Sequence, residues 1–216
     1  LRLPSGTRRD LAIVGGRVVV LCDDGKGRVI PTDGREVLTF LPGAGTSVAY
    51  PAPAVGPVPA GGKVLLGLDA PDREIALVDP PLPGSTGEST GYRWGVGMPG
   101  TEPAGAVVLG EDVLLLYRNG TARLATIAKG EKPGRLPFRI LPEKEKPLGS
   151  PAPAGGTLFQ AAERSLTAFR LTDGGVEQVW RWTAAEGTFL STPACVAGRF
   201  VVIGTPTGRV HGLLQD

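Results

Sequence analysis

The sequence predicts an all-β protein built from about five β-propeller-type repeats, and three observations predict it. The 216 residues include 33 Gly and 21 Pro, so backbone turns are frequent. Hydrophobic residues make up 41% of the chain and lie in short runs such as Val18–Leu21 and Phe200–Ile203. Similar segments recur about every 40 to 50 residues, which is the length of a four-stranded propeller blade.

The clearest repeat relates residues 12–29 to residues 192–213. Each segment has a short strand, a Gly turn before an Arg, a strand of β-branched residues, a second Gly turn and an Arg-Val pair. Less complete copies begin near residues 53, 103 and 151, and the one near 103 is the weakest. The predicted units, all within one domain of residues 1–216, are about 12–52, 53–102, 103–150, 151–192, and 193–216 together with 1–11.

Each unit is expected to end in an outer strand that carries large residues. Such strands follow Asp-Gly turns at residues 37–40 and 179–182, and a longer loop at residues 92–94. Trp180 and Trp182 are two residues apart, so they share one face of a strand and Arg181 takes the other. We expect that face to pack between neighbouring units.

The two ends of the chain look like parts of one unit. Residues 1–6 resemble an outer strand with no unit before it, and the chain ends after the third strand of the fifth unit. The N-terminal strand could complete that blade and close the propeller, which would remove an exposed sheet edge. Closure requires residues 1–4 to pair with residues 207–214. The alternative is an arc of a larger, seven- or eight-bladed propeller.

The charge balance argues against nucleic acid as the main partner. The chain has 23 Lys and Arg against 21 Asp and Glu, a formal net charge of +2. A cluster of mixed sign at residues 129–146 predicts a solvated loop, with a partner-facing patch as the alternative. No apolar stretch approaches the ~20 residues that a membrane-spanning helix needs, so we expect no transmembrane segment in this chain.

The repeat resembles that of the PQQ-like (pyrroloquinoline-quinone-type) β-propellers. The matching motifs are Gly61-Gly62-Lys63-Val64, Ile75-Ala76-Leu77-Val78-Asp79, Gly198-Arg199-Phe200-Val201, and Asp173-Gly174 followed by Trp180. The chain departs from the family pattern in its third unit, and Leu38 stands where the family usually has Trp. The resemblance covers nearly the whole chain and concerns architecture.

Quinoprotein dehydrogenases of this family imply about eight blades, a vicinal Cys-Cys pair and Ca²⁺ ligands. This chain has no Cys-Cys pair, one Asn (Asn119) and roughly half that length. The sole histidine, His211, lies in a predicted strand and is expected to be structural and part-buried rather than the base of a triad. We therefore expect no enzyme activity, no catalytic residues, no cofactor and no metal site.

The two cysteines are predicted to be free and buried. The repeat aligns Cys22 with Gly204 and Cys195 with Ile13, so the two thiols belong to different units and to different levels of their hairpins. Their separation then exceeds the roughly 4.4 to 6.8 Å between Cα atoms that a disulfide tolerates.

The resemblance implies a non-enzymatic protein-interaction or scaffold module, such as an accessory subunit of an envelope or membrane-associated complex. The family's habit and a start at Leu1 rather than Met favour a periplasmic or extracellular location. The alternatives are a small-ligand-binding or sensor propeller, or the remnant of a quinoprotein-type enzyme. Aromatic and basic side chains at predicted rims and loops are the candidate contacts with a protein partner: Tyr92, Trp94, Trp182, Arg135 and Arg139.

Overall fold

The computed structural model describes residues 11–22, 26–31, 38–40, 53–60, 62–68, 74–78, 91–95, 102–126, 138–172 and 175–215. Throughout these residues the regular structure is β-strand, arranged as five antiparallel sheets. Within every sheet the strands are neighbours in the same order as in the chain. The all-β prediction is confirmed.

Two of the sheets belong to a compact unit of residues 1–103 and 126–132. The first sheet consists of β1 (Leu11–Val14), β2 (Arg17–Leu21), β3 (Gly27–Pro31) and β4 (Leu38–Phe40). The second consists of β5 (Pro53–Ala60), β6 (Lys63–Leu68), β7 (Glu74–Val78) and β8 (Gly91–Gly95). β5 packs against β1 and β2, and the cross-strand row Ala12, Val19 and Val29 is buried.

A second compact unit comprises residues 104–125 and 133–216. This unit contains the third sheet, which consists of β9 (Pro103–Leu109), β10 (Asp112–Tyr117), β11 (Thr121–Thr126) and β12 (Phe138–Arg139). Only the terminal residues Pro103 and Thr126 of this sheet belong to the first unit. The fourth sheet has β13 (Ala152–Ala154), β14 (Thr157–Ala161), β15 (Ser165–Thr172) and β16 (Gly175–Thr183). The fifth has β17 (Cys195–Ala197), β18 (Phe200–Gly204) and β19 (Val210–Leu214).

The core of this second unit consists of two layers between sheets. Leu114 and Leu116 of the third sheet pack with Leu158 and Phe169 of the fourth. The opposite face of the fourth sheet meets the fifth sheet through a second apolar cluster: Phe159, Leu166, Ala168, Trp180, Trp182, Val201, Ile203 and Leu213. Strands covered on both faces explain the short, fully apolar runs in the sequence.

Two-residue turns set the register of the first hairpin in each repeat. Gly15 and Gly155 open such turns with φ of 56° and 55°, and Gly198 does so with φ of 59°. Glycine adopts this left-handed conformation at little cost, and such turns match the twist of the strands. The predicted outer strands also form, as β4, β8 and β16. β12, which has two residues, is the outer strand that the sequence did not reveal.

The turns correct the predicted alignment of the two cysteines. Gly198 corresponds to Gly15 rather than to Gly16, so Cys195 aligns with Ala12 and Cys22 with Thr205, each one residue from the predicted partner. Matching hydrogen bonds support this register: the Cys22 amide donates to the Lys26 carbonyl, and the Thr205 amide donates to the Arg209 carbonyl, both at 2.9 Å.

The connection from β12 to β13 is held against the two sheets that it joins. The Ala106 amide of β9 donates to Ser150 Oγ at 3.1 Å. A Cβ atom on Gly105 would lie 2.6 Å from the Gly149 carbonyl oxygen and from the Ser150 Cα atom. The connection therefore crosses β9 where only a glycine leaves room.

The connection from β12 to β13 also contains a half-buried charged residue, Glu145. Glu145 pairs with Arg181 of β16, and the Ser165 hydroxyl of β15 donates to the same carboxylate. Hydrogen bonds between partly desolvated charged groups are among the stronger ones in proteins. Glu145 thus departs from the solvated loop predicted for residues 129–146, whereas Glu143, Lys144 and Lys146 are exposed as expected.

The predicted closure through residues 1–4 lies outside the described residues. In the part of the chain that is described, the fifth sheet has three strands. The single domain, the number of blades and the larger-ring alternative therefore stay predictions.

We expect Gly105→Ala to lower the free energy of unfolding by about 1–3 kcal/mol, because the new methyl group overlaps backbone atoms of Gly149 and Ser150. Urea unfolding followed by tryptophan fluorescence measures the loss. Gly212→Ala is the matched control, since a Cβ there meets only a Phe200 ring atom at 3.9 Å. Equal stability of the two variants would contradict the close crossing.

We expect Glu145→Gln to destabilise the chain by about 1–3 kcal/mol, because Arg181 then keeps its charge without a carboxylate partner. Glu143→Gln, two residues away and exposed, should be neutral. A double-mutant cycle with Arg181→Met in urea isolates the pair. A coupling free energy near zero would show that Glu145 does not hold the connection.

Candidate protein interface

The two faces of the fifth sheet have different surroundings. Its inner face, with Val201, Ile203 and Leu213, packs on the fourth sheet. Its outer face points away from that core and consists of uncharged residues: Cys195, Phe200, Val202, Val210, Gly212 and Leu214. Val210 is 68% exposed there, and Phe200 and Leu214 are nearly half exposed. A contiguous exposed apolar face of this kind is a candidate interaction surface.

The positions of the fourth sheet that are equivalent to the outer face are covered by another sheet. The pairings Phe159 with Ala168 and Ala161 with Leu166 correspond to Val202 with Gly212 and Gly204 with Val210. In the fourth sheet these positions are at most 1% exposed, because the fifth sheet covers them. The same positions of the repeat are open in the fifth sheet.

The outer face ends at a strand edge that none of the described residues pairs with. β19 hydrogen-bonds to β18 on one side, and its other edge has no described neighbour. The other four sheets have a fourth strand at this position. An edge of this kind offers backbone donors and acceptors to an added strand.

The first sheet has exposed apolar side chains on its edge strand, β1. Its row Ala12, Val19 and Val29 is buried, and its other row contains Leu11 and Ile13, which are 59% and 64% exposed. By the hairpin register, Ile13 corresponds to Val196 and Val18 to Val201. In the fifth sheet those residues pack on the preceding sheet. On this face of the first sheet, however, Val20 and Arg28 are only 6% and 4% exposed, so the strongly exposed residues are those of the edge strand β1.

Of the predicted partner contacts, the structure describes the side chains of Arg139 and Trp182. Tyr92 and Trp94 lie on β8, with side chains outside the described set, and Arg135 lies outside the described residues. Arg139 is exposed, and its Nη1 donates to the Asn119 carbonyl at 2.9 Å, so it also closes the turn before β11. Trp182 is half-buried in the core between the fourth and fifth sheets. Their role as partner contacts stays a prediction.

The sequence reasoning missed the outer face because its residues look like ordinary core. Val202 and Val210 occupy strand positions whose equivalents in the fourth sheet are buried. In the fifth sheet, none of the described sheets covers these positions. The pattern of residues within a strand carries no signal that separates a covered face from an uncovered one.

His211 has the structural environment that was predicted for it. Its half-buried ring packs on Trp182, with ring centroids 5.4 Å apart. Trp180 and Trp182 share the face toward the fifth sheet, and Arg181 points to the other face, as predicted. Among the described residues, no group of three or more His, Cys, Asp or Glu side chains is arranged to hold a metal ion.

The two thiols are free, and their burial differs. Cys22 is buried, as predicted, but Cys195 is exposed, so that part of the prediction is wrong. The physical reason is that Cys195 lies on the outer face of the fifth sheet, which no described sheet covers. Cys195 is equivalent to Ala12, which is 2% exposed because the second sheet covers its face. The corresponding face of the fifth sheet is open.

A separate cleft lies in the second compact unit, beside the hairpin of β13 and β14. Its volume is about 290 Å³, and its lining is mostly apolar: Leu109, Pro153, Ala154, Gly156, Leu158 and Leu171. Thr157 also lines the cleft, and its hydroxyl accepts a hydrogen bond from Arg170 Nε at 3.3 Å. The cleft is near the lower size limit of small-molecule sites.

Comparisons with known proteins agree with this geometry at the level of the fold. No protein-family model matches the chain, and no curated protein sequence matches it significantly. Similar solved structures include BamB from Moraxella catarrhalis, with a TM-score of 0.63 and 16% identity over the whole chain. The computationally designed Ika8 protein has a TM-score of 0.64 and 14% sequence identity over 94% of the chain. BBS1N, in complex with ARL6DN, has a TM-score of 0.65 and 14% sequence identity over the whole chain.

These likenesses define the class of protein: the chain has a β-propeller-type fold. At 14–16% identity they concern the fold alone. The chain spans 63% of the BamB chain, 57% of the Ika8 chain and 68% of the BBS1N chain. In the described part of the chain, no helix is long and apolar enough to cross a membrane.

We expect a thiol reagent such as iodoacetamide to label one cysteine of the native chain, because Cys195 is exposed and Cys22 is 3% exposed. Intact-mass analysis should show one adduct under native conditions and two after denaturation. Cys195→Ser should remove the native adduct. Native labelling of Cys22 in preference to Cys195 would contradict the assignment of the two faces.

Proposed function

We propose that this protein is a non-enzymatic interaction module and that the outer face of the fifth sheet is its contact surface. The single observation that carries the proposal is the open apolar row on β18 and β19, whose equivalents in the fourth sheet are buried by another sheet. Covering Val210, Phe200 and Leu214 would remove large apolar side chains from water, which drives most protein association.

The edge of β19 that no described residue pairs with supports the same proposal. A partner strand could add to this edge through backbone hydrogen bonds while its side chains meet the apolar row. The likeness to BBS1N, whose structure was determined in complex with ARL6DN, is consistent with a propeller-type fold that serves in assembly.

The finer role that we propose is an accessory subunit of an envelope or membrane-associated complex, on the periplasmic or extracellular face. Its support is the resemblance of the repeat to PQQ-like propellers and the fold likeness to BamB. Absence of catalysis belongs to the same proposal, which rests on the sole histidine, His211, packing as a core ring against Trp182.

A second candidate function is small-ligand binding in the cleft beside β13 and β14. The apolar lining would suit the hydrophobic part of a ligand, with Thr157 and Arg170 as the nearest polar groups. Thermal-shift screening with sugars, nucleotides and quinones tests it. Stabilisation that disappears in Ala154→Phe, which would fill the cleft, would favour this candidate over the first.

The interaction module is tested by photo-crosslinking in the native host. A photoreactive amino acid at position 210 should give a discrete adduct with a polypeptide, because Val210 projects from the outer face. Position 179 is the matched control, since Val179 is also an exposed apolar strand residue, at 41%, but lies on β16.

A second substitution on the same face makes the result specific. Phe200→Lys should abolish the adduct at position 210, because a buried lysine without a partner carries a high desolvation cost. Adducts of equal yield at positions 210 and 179, or an adduct that survives Phe200→Lys, would overturn the proposed surface.

A further inference from the structure

We propose that Arg164 and Phe189 form a second docking site, which binds a segment of a partner polypeptide that carries a carboxylate beside an apolar side chain. Arg164 lies in the turn between β14 and β15, and Phe189 lies in the loop after β16, within the second compact unit. The site shares no residue with the outer face of the fifth sheet, so the inference goes beyond the proposed function and does not depend on it.

Phe189 is a large apolar side chain at the surface. Its ring is 55% exposed, whereas the next residue, Leu190, is 3% exposed and packs in the layer between the fourth and fifth sheets. A single exposed apolar residue is unremarkable in itself. Phe189 differs because its position is fixed and because a cation lies against it, and aromatic residues and arginine are both enriched in the cores of protein interfaces.

Backbone hydrogen bonds hold the loop that carries Phe189. The Ala184 amide donates to the Arg164 carbonyl at 2.9 Å, and the Leu190 amide donates to the Glu163 carbonyl at 2.8 Å. Both ends of the loop are therefore anchored on the turn that carries Arg164. The same contacts position the ring and the guanidinium, and a preformed pair loses little conformational freedom when a partner binds.

The guanidinium of Arg164 lies over the Phe189 ring, with 5.9 Å between its Cζ atom and the ring centroid. This is a cation–π contact, which holds the guanidinium without using its N–H donors. Among the described residues, none accepts a hydrogen bond from that guanidinium. The side chain is exposed, so these donors are accessible to a partner.

The acidic residues nearest to Arg164 in this region do not supply the acceptor. Glu163 precedes it and Glu186 lies in the same loop as Phe189, yet neither is ion-paired with Arg164 in the described structure. Arg181 shows the opposite case in the same sheet, because Glu145 of this chain supplies its carboxylate. At Arg164 the chain supplies the cation of such a pair and no described anion.

These features fit one chemistry. A planar carboxylate matches the fork of guanidinium donors, which it can engage through two hydrogen bonds. An apolar side chain on the same segment would cover the Phe189 ring and remove its exposed area from water. The ligand is therefore an Asp or Glu of a polypeptide with a neighbouring Leu, Ile or aromatic residue.

The test is selection of binders from a random peptide library displayed on phage. The purified chain is attached to the support through Cys195, which lies on the outer face of the fifth sheet. This attachment turns the outer face toward the support and separates it from the proposed docking site. Selected peptides should share an Asp or Glu close to an apolar residue.

Fluorescence anisotropy then measures the affinity of the strongest selected peptide for the unmodified chain and its variants. Arg164→Gln and Phe189→Ala should each weaken binding about tenfold or more. Arg164→Lys keeps the charge but loses the planar fork, so it should also weaken binding. Lys144→Gln and Val179→Ala, at an exposed cation and an exposed apolar residue outside the site, are the matched controls and should bind like the unmodified chain.

Replacing the carboxylate of the peptide by its amide isolates the contact with Arg164. This change should weaken binding to the unmodified chain about tenfold and have little further effect on Arg164→Gln, because the two groups act as a pair. Circular dichroism verifies that each variant is folded. If Phe189→Ala is unfolded, the Arg164 variants and the amide peptide decide the question.

Three results would overturn the inference. They are a library that yields no binder, selected peptides that share no carboxylate, and an affinity that Arg164→Gln changes no more than Lys144→Gln does. None of these results bears on the adduct at position 210, so the proposed function would stand. Conversely, loss of that adduct would remove the outer face as a contact surface and leave this docking site in place.

Discussion

The structure depends on one constraint: the sheets of the second compact unit are apolar on both faces, so burying their side chains takes a neighbouring sheet on each side. In the second compact unit the fourth sheet meets this requirement, with Leu158 and Phe169 on one side and Phe159 and Ala168 on the other. The fifth sheet meets it on one side only. What is distinctive about the surface of this chain follows from that difference, including the exposure of Cys195 and Val210.

Polar contacts, in contrast, hold a connection between sheets in place. The segment after β12 crosses β9 at Gly105 and is held by Ser150 and by the pairing of Glu145 with Arg181. These contacts fix the position of the connection between two apolar layers. They involve buried or half-buried groups, so their loss leaves donors and charges without partners.

The candidate surface is identified by comparison with equivalent positions elsewhere in the repeat. An exposed valine is unremarkable in itself, since much of any protein surface is apolar. Val210 matters because its equivalent, Leu166, is fully buried by a neighbouring sheet of the same architecture. Ile13 differs, because Val20 and Arg28 on the same face of the first sheet are already buried. The core of a repeat protein thus shows how equivalent positions are buried elsewhere in the same chain.

The sequence by itself determined the class of fold, the strands and the faces within a strand. Periodic Gly turns and short apolar runs are local signals, and the two-residue period of a strand placed Trp180 and Trp182 together opposite Arg181. Tertiary structure decided the rest. The two-residue β12 and the crossing at Gly105 depend on residues far apart in the chain, and local pattern carries no information about them. Whether Cys195 or Val202 is core or surface depends on the presence of a covering sheet, which is a property of the neighbour and not of the strand.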